Sequence, residues 1–256
     1  MITSTSNTQI KNVINLIKKS KDRKAQGLFV VEGKRMFEET PKERIHSLFV
    51  SESFERDNKD ILRGYAYELV SDDVFSHMSD TKTPQGVMAL VKMSECSIED
   101  MLGKENPLII ILENLQDPGN LGTIIRTAEG AGADGIIMTS GTVDIYNPKV
   151  IRSTMGAMYR MKYAYTDKLK EAVALLKSRG ITTYAAHLQG AVDYVTCDYK
   201  KGTAFFIGNE GNGLTDEATA LADRKIIIPM MGKLESLNAA VSGAVLMYEA
   251  ARQRRG

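Results

Sequence analysis

The chain has little of what would mark several common classes of protein. Only two cysteines occur, Cys96 and Cys197, far apart and without a C-x-x-C partner. That excludes a disulfide framework and a thiolate zinc site and suits a reducing compartment. His46, His77 and His187 are scattered, with no H-E-x-x-H spacing, so no metal site is expected. No apolar run reaches the length of a membrane span, and the N-terminus lacks the apolar core of a signal peptide, so a cytoplasmic protein with no membrane partner is expected. Formal net charge is +1, which leaves no global basic field to attract nucleic acid. There is no G-x-S-x-G for a hydrolase serine. The loop at 114–130, which follows the apolar run Leu108–Leu112, has neither G-x-G-x-x-G nor G-x-x-x-x-G-K-[ST], so it lacks the usual fingerprints of a dinucleotide or triphosphate loop. No repeat or low-complexity tract is present. What remains, 43% hydrophobic and 25% charged over 256 residues, is an ordinary globular composition with core enough for one large domain or two smaller ones.

Periodicity divides the chain. Residues 7–24 read as one amphipathic helix with Ile10, Val13, Ile14 and Ile17 on a stripe and a basic end, Lys18, Lys19, Lys21, Arg23 and Lys24, opposed only by Asp22. Strands follow at "GLFVVEG", "IHSLFVSE", "YAYELVS" and "QGVMALVK", with short helices at "KRMFEE" and, capped by serine, "SDDVFSHMS". These make a small α/β sandwich over residues 1–95. The polar stretch around 96–106 reads as a linker. From 107 to 256 the alternation is cleaner, with strands at "LIIIL", "GIIMTS", "MKYAYT", "TTYAAHL", "TAFFIG" and "KIIIP". Helices are expected near Gly122, Pro148, Lys168 and Thr215, and a long one after Ser236. Asn147-Pro148 provides a cap and a proline at the first helical position, and Gly180 a C-terminal cap. The expected architecture is α/β, a mostly parallel sheet covered by helices, with ligands at the carboxyl ends of its strands.

Three loops leave strand ends with residues that carry chemistry. In "NLQDPGNLGTIIRTAEG" (114–130), Pro118-Gly119 is expected to turn the chain and Asn120 to cap the helix. Arg126 lies off the apolar stripe, over Gly122, and either reaches toward an anion at the strand ends or pairs with Glu129 on the surface. In "GNEGNG" (208–213), three glycines permit close backbone approach, while Glu210 argues against a phosphate cradle. A plain strand–helix connection is the competing reading. In "IIIPMMGKLESLNAAVSGA" (226–244), Ser236 and Asn238 stand where a helix begins, as caps or as more than caps. Gly243 among small residues, at a cost of up to about 1 kcal/mol in the helix, implies that another backbone passes close by.

Together the three loops resemble the signature motifs of the SpoU/TrmH family of SPOUT RNA 2′-O-ribose methyltransferases. The matching positions are Asn114, Asp117, Pro118, Asn120, Gly122 and Arg126; then Gly208, Asn209, Glu210 and Gly213; then Ile228, Pro229, Met230, Gly232, Ser236, Leu237 and Asn238. "NPKVIRSTMGAMYR" is also typical of the family, and Ala239 replaces its usual valine. The resemblance covers residues 107–256. It implies a parallel-sheet SPOUT domain with a deep trefoil knot, binding S-adenosyl-L-methionine through Gly208, Ile228, Met230 and Leu237, and a homodimer. Residues 1–95, in "FVVEGKRMFEE" and "TKTPQGVMALV", resemble the ribosomal-protein-like RNA-binding domain of many relatives. The substrate implied is structured RNA, rRNA before tRNA. The catalytic set implied is Arg126, Asn120, Glu210, Ser236 and Asn238. Arg126 anchors the RNA phosphate and stabilises the developing alkoxide, since a guanidinium stays protonated and is a poor base. Asn120 orients the ribose or Arg126, Glu210 holds Arg126 or Asn238, and Ser236 and Asn238 position substrate. The basic cluster at 18–24 and the terminal "RQRR" suit RNA contact, or are solvated helix ends. The alternatives are a non-catalytic RNA-binding protein of the same fold and a nicotinamide-dependent oxidoreductase using residues 208–213.

Overall fold

Asn7 accepts a hydrogen bond from the Gln9 N–H and so starts the first helix, α1 (Thr8–Lys18), which buries Ile10, Val13, Leu16 and Ile17. The expected single helix over 7–24 is broken: Lys19 is extended (φ −122°, ψ 111°) and α2 (Ser20–Gln26) begins after it. The cause is Arg23. Its Nη1 donates to the carbonyls of Leu16 and Ile17 (2.8 and 3.1 Å), the last turn of α1, and its Nε to Asp144 (3.1 Å). A continuous helix would satisfy neither end; the break buries Arg23 to 4% exposure with all its partners in place.

The computed structural model describes residues 1–94, 96–187 and 191–255. The chain forms two units, Met1–Ser94 with Asp144–Tyr159, and Glu95–Val143 with Arg160–Gly256. In the first unit, β1 (Leu28–Glu32), α3 (Lys34–Glu38), β2 (Ile45–Ser51), α4 (Glu52–Asp57), β3 (Glu68–Val70), α5 (Asp72–Met78) and β4 (Val87–Lys92) follow α1 and α2. The sheet order is β1-β4-β2-β3, antiparallel except for β2 with β3. Its core packs α1 and α5 on the sheet through Ile10, Leu16, Phe49, Phe75 and Met88. Periodicity gives no expectation of the α4 turn; Ser51 caps it at the Phe54 N–H, and burial of Phe54 holds it. Ser71 precedes α5 but makes no side-chain cap bond, so Asp72 and Asp73 in the first turn carry the favourable charge instead.

In the second unit the elements are β5 (Leu108–Leu112), α6 (Pro118–Ala131), β6 (Gly135–Thr139), β7 (Tyr163–Thr166), α8 (Leu169–Ser178), β8 (Thr182–Ala186), β9 (Val192–Asp193), β10 (Thr203–Ile207), α9 (Asp216–Leu221), β11 (Arg224–Ile227) and α10 (Ala239–Arg255), while α7 (Pro148–Thr154) lies with the first unit although it falls inside the stretch 107–256. The sheet is seven-stranded and parallel throughout, in the order β7-β6-β5-β10-β8-β11-β9. Central β5 and β10 are buried along their whole length, as their unbroken apolar runs require. Asn147 and Pro148 start α7 as expected, and Gly180 (φ +73°) follows α8. The two-residue edge strand β9 gave no signal in the sequence. Leu188, last residue of the expected strand "TTYAAHL", lies outside the described residues, as do Glu95 and Gly256 at the ends of expected domains. The stretch 96–106 contains a 3-10 turn, Glu99–Leu102, whose Met101 is buried in this unit's core.

Because β5 and β10 are neighbours in register (Leu112 beside Ile207), the loops after them leave the sheet side by side. Helix α10 packs on α6 and β10 and returns the third loop's end to the same edge.

Candidate active site

Asp117, not Asn120, caps α6: its carboxylate accepts from the Asn120 N–H at 2.8 Å, and Pro118 takes the first helical position. The expected Pro118-Gly119 turn is therefore the first turn of the helix. The Asn120 side chain, freed from capping, bridges the other two loops. Its Nδ2 donates to Glu210 Oε1 (2.9 Å), and its Oδ1 accepts from Asn238 Nδ2 (3.0 Å). The expected partners of Glu210, Arg126 or Asn238, are not the ones it has. It accepts instead from Asn120 and from the backbone N–H groups of Gln116 (3.1 Å) and Asp117 (2.9 Å), and meets Asn238 only through Asn120. Partial burial pushes the Glu210 carboxyl up, but these hydrogen bonds outweigh it and hold the group below its ordinary value of 4.5. An ionised carboxylate with three donors on it is a structural acceptor, not a free base.

The second loop closes on itself. Asn209 and Gly213 exchange backbone hydrogen bonds at 3.0 Å, and Asn209 Oδ1 accepts from the N–H groups of Gly211 and Asn212. A Cβ on Gly208 would sit 2.2 Å from the Gly213 carbonyl carbon and 2.3 Å from the Leu214 nitrogen, so only glycine fits there. Asn209 Nδ2 also donates to the Asn114 carbonyl (2.9 Å), tying this loop to the first. Asn114 itself has positive φ (54°), and its side chain accepts from Thr139 Oγ1. Buried Glu113 accepts from the N–H and hydroxyl of Thr215 (2.8 and 2.6 Å), fixing the loop's exit. The sequence assigns no role to Glu113, Asn114, Gln116 and Thr139; the signal for Glu113 and Thr139 is their polarity at the ends of otherwise apolar strands.

The third loop is different. Asn238 does cap α10, accepting from the N–H groups of Ala240 and Val241 (2.9 and 3.3 Å). Among the described residues, no hydrogen bond involves residues 228–237, Ser236 included. Ile228, Met230 and Leu237 are half-buried, whereas Met231 is 99% and Leu234 73% exposed. The backbone expected near Gly243 is absent: its nearest neighbours are the side chains of Met247, Ile207 and Ile124 at 3.6–3.9 Å from a Cβ placed there. The close backbone approach occurs at Gly208 instead.

Arg126 is exposed and, among the described residues, its side chain makes no hydrogen bond or ion pair. Its alternative partner Glu129 is taken by Arg160 at 2.8 Å. The basic tail is largely committed to structure: Arg252 pairs with Glu249, and Arg254 donates to the carbonyls of Asn106, Tyr199 and Lys201. The loops thus bring Asn120, Glu210 and Asn238 into one network and leave Arg126 and Ser236 outside it. Among the described residues no cluster of His, Cys, Asp or Glu is placed to hold a metal, and no helix is long and apolar enough to cross a membrane.

Residues 107–248 match the model of the SpoU rRNA Methylase family, and residues 7–89 that of the MRM3-like substrate binding domain. The chain belongs to the SpoU rRNA methylase family. This SpoU-family chain is 32% identical over 249 residues to the 23S rRNA (guanosine(2553)-2′-O)-methyltransferase RlmP of Bacillus subtilis (strain 168), covering 96% of this chain and 97% of that one. Its structure is similar to that of the SpoU methyltransferase AviRb from Streptomyces viridochromogenes in complex with AdoMet, with TM-score 0.88, 26% identity and coverage of 98% and 99%. It is likewise similar to the AdoMet-bound rRNA methyltransferase from Sinorhizobium meliloti, with TM-score 0.86, 31% identity and coverage of 98% and 97%. The three loops of this SpoU-family site are therefore those of a methyltransferase fold.

Proposed function

We propose that this chain transfers the methyl group of S-adenosyl-L-methionine to a ribose 2′-hydroxyl of structured RNA, ribosomal RNA rather than transfer RNA. The observation that carries the reading is a preassembled Asn120–Glu210–Asn238 network, on whose helix α6 Arg126 has no side-chain partner among the described residues, in a chain 32% identical to RlmP over 96% of its length.

The third loop fits the cofactor's adenosine. Its backbone polar groups from 228 to 237 have no protein partners among the described residues, and half-buried Ile228, Met230 and Leu237 offer apolar surface, with Gly208 as the second loop's contribution. A nucleoside needs that pairing of unspent backbone donors and acceptors with apolar surface. When bound, the cofactor supplies an electrophilic methyl on a sulfonium whose departing thioether is neutral, so no acid is needed. The demand on the protein is the ribose hydroxyl, a poor nucleophile until its proton leaves. Arg126 holds the neighbouring phosphate and stabilises the developing alkoxide; the proton goes to that phosphate or to water. Glu210 keeps Asn120 and the 116–117 backbone in place, Asn120 and Asn238 orient the ribose, and Ser236, whose hydroxyl has no partner among the described residues, faces substrate. Residues 1–95 bind RNA as the substrate domain, 96–106 connect, and 107–256 carry the chemistry. A trefoil knot in the C-terminal chain, a homodimer and a cytoplasmic location complete the reading, with no metal or membrane in it.

The test is methyl transfer from tritiated cofactor to an unmodified transcript of a bacterial 23S ribosomal RNA, with wild type and Arg126→Ala in parallel. Removing a donor to developing negative charge costs about 10²–10³ in rate, while cofactor affinity should stay unchanged. Equal rates would remove Arg126 from the mechanism.

A further inference from the structure

We infer that helices α1 and α2 form a docking platform for the phosphate backbone of the RNA substrate, contacted by Lys11, Lys18, Lys21 and Lys24. The inference rests on the RNA-methyltransferase reading above and names where the first unit grips that RNA.

Charge is unevenly placed along this chain. Residues 1–24 hold six of its 33 basic side chains and one of its 32 acidic ones, so the rest of the chain is net acidic. An RNA approaching a nearly neutral protein is held where charge is concentrated. Within the cluster the structure separates two roles. Arg23 is buried on Asp144 and the α1 carbonyls, and Lys19 pairs with Asp22 at 3.8 Å. Lys11, Lys18, Lys21 and Lys24 are exposed and, among the described residues, their side chains make no hydrogen bond or ion pair.

The surface beneath them is held firmly. Asn12 and Gln26 exchange side-chain hydrogen bonds (3.1 and 2.9 Å) that lock α2 to α1, Ser20 donates to Asp144 (2.8 Å), and Ile10, Val13, Leu16 and Ile17 anchor α1 in the core. Lys11 and Lys18 are seven residues apart on α1, and Lys21 and Lys24 three apart on α2, so each pair shares a helix face. The break at Lys19, forced by Arg23, joins the two rows through a fixed bend. Flexible cations on a fixed base suit a shaped polyanion, whose phosphates set register without base recognition.

The test replaces Lys11, Lys18, Lys21 and Lys24 together by Gln, with a control carrying Lys59→Gln, Lys170→Gln, Lys200→Gln and Lys225→Gln. Binding of the 23S transcript is measured against salt, along with KM and kcat for methyl transfer. Each lost phosphate contact lowers the slope of log affinity against log salt by about 0.7–0.9, so the quadruple variant should lose about 3. KM for RNA should rise at least about tenfold near 0.1 M salt, with kcat and cofactor affinity unchanged and the control behaving as wild type. An unchanged slope, or an equal loss in the control, would overturn the platform. So would an unchanged RNA slope accompanied by lost binding to phosphatidylglycerol vesicles, which would assign the lysines to a membrane surface. If the wild type binds the transcript with a lysine-dependent slope yet transfers no methyl group, the platform stands and the methyltransferase reading falls.

Discussion

The first two loops of the site and the third are built on opposite principles. Residues 113–120 and 208–215 are closed: Glu210, Asn209, Asp117 and Glu113 all accept hydrogen bonds from neighbouring backbone or side-chain donors. Residues 228–237 are open, with no hydrogen bonds of their own among the described residues and two large apolar side chains in solvent. The closed pair leaves the sheet from adjacent strands, so each loop supplies the other's partners. The third leaves β11, separated from β10 by β8, and touches the network only at its end, through Asn238. Preorganisation belongs where a reacting hydroxyl must be aimed, because no reorganisation is then needed at the moment of transfer. Unspent backbone belongs where a ligand brings its own donors and acceptors.

The largest effect should come from breaking the closed pair at its tightest point. Gly208→Ala puts a methyl group about 2.2 Å from the Gly213 backbone, and such overpacking costs about 1–3 kcal/mol or more. A lower denaturation midpoint together with loss of methyl transfer is expected; full activity would mean the loop is looser than its geometry. Glu210→Gln sharpens the contrast through pH. The folded-state pKa of Glu210 is depressed, so its ionisation supports the fold above the ordinary value of 4.5, and that support is lost as pH falls through the lower folded value. Stability measured from pH 6 downward should fall less steeply in the Gln variant, which should also be slower at neutral pH. Parallel acid limbs would show that the carboxylate charge is not what holds the first loop. The smallest effect is expected at Gly243→Ala in α10, behind the open loop. The added methyl group meets side chains at ordinary contact distance, and helix propensity gains up to about 1 kcal/mol. A rise in Tm with activity retained is expected, and a marked loss would mean that close backbone passage matters there.

Elements with strong local signals were legible in the sequence. The apolar runs of β5 and β10, the Asn147-Pro148 start and the Gly180 stop depend only on residues close in the chain. The helix over 7–24 was misread because its break depends on Asp144, some 120 residues away, which the periodicity of the helix cannot register. Likewise Asn120 has the chemistry of a cap, but Asp117 reaches the end of α6 first and Asn120 is released to join Glu210 and Asn238. The three loops could be picked out as candidates from glycines, amides and a carboxylate at strand ends, whereas the partner of each side chain required the strand order. Gly243 and Gly208 make the same point: both are glycines in suggestive company, and only the fold tells which one meets a backbone.

The central claim is that the preassembled loops aim a ribose hydroxyl, and the position of the transferred methyl group tests it most directly. Wild-type protein, tritiated S-adenosyl-L-methionine and the unmodified 23S transcript would be incubated together, and the RNA hydrolysed in alkali. A 2′-O-methyl group blocks cleavage at the following phosphate, so label in alkali-resistant dinucleotides is the predicted result. Label recovered in mononucleotides, on the bases, would contradict it.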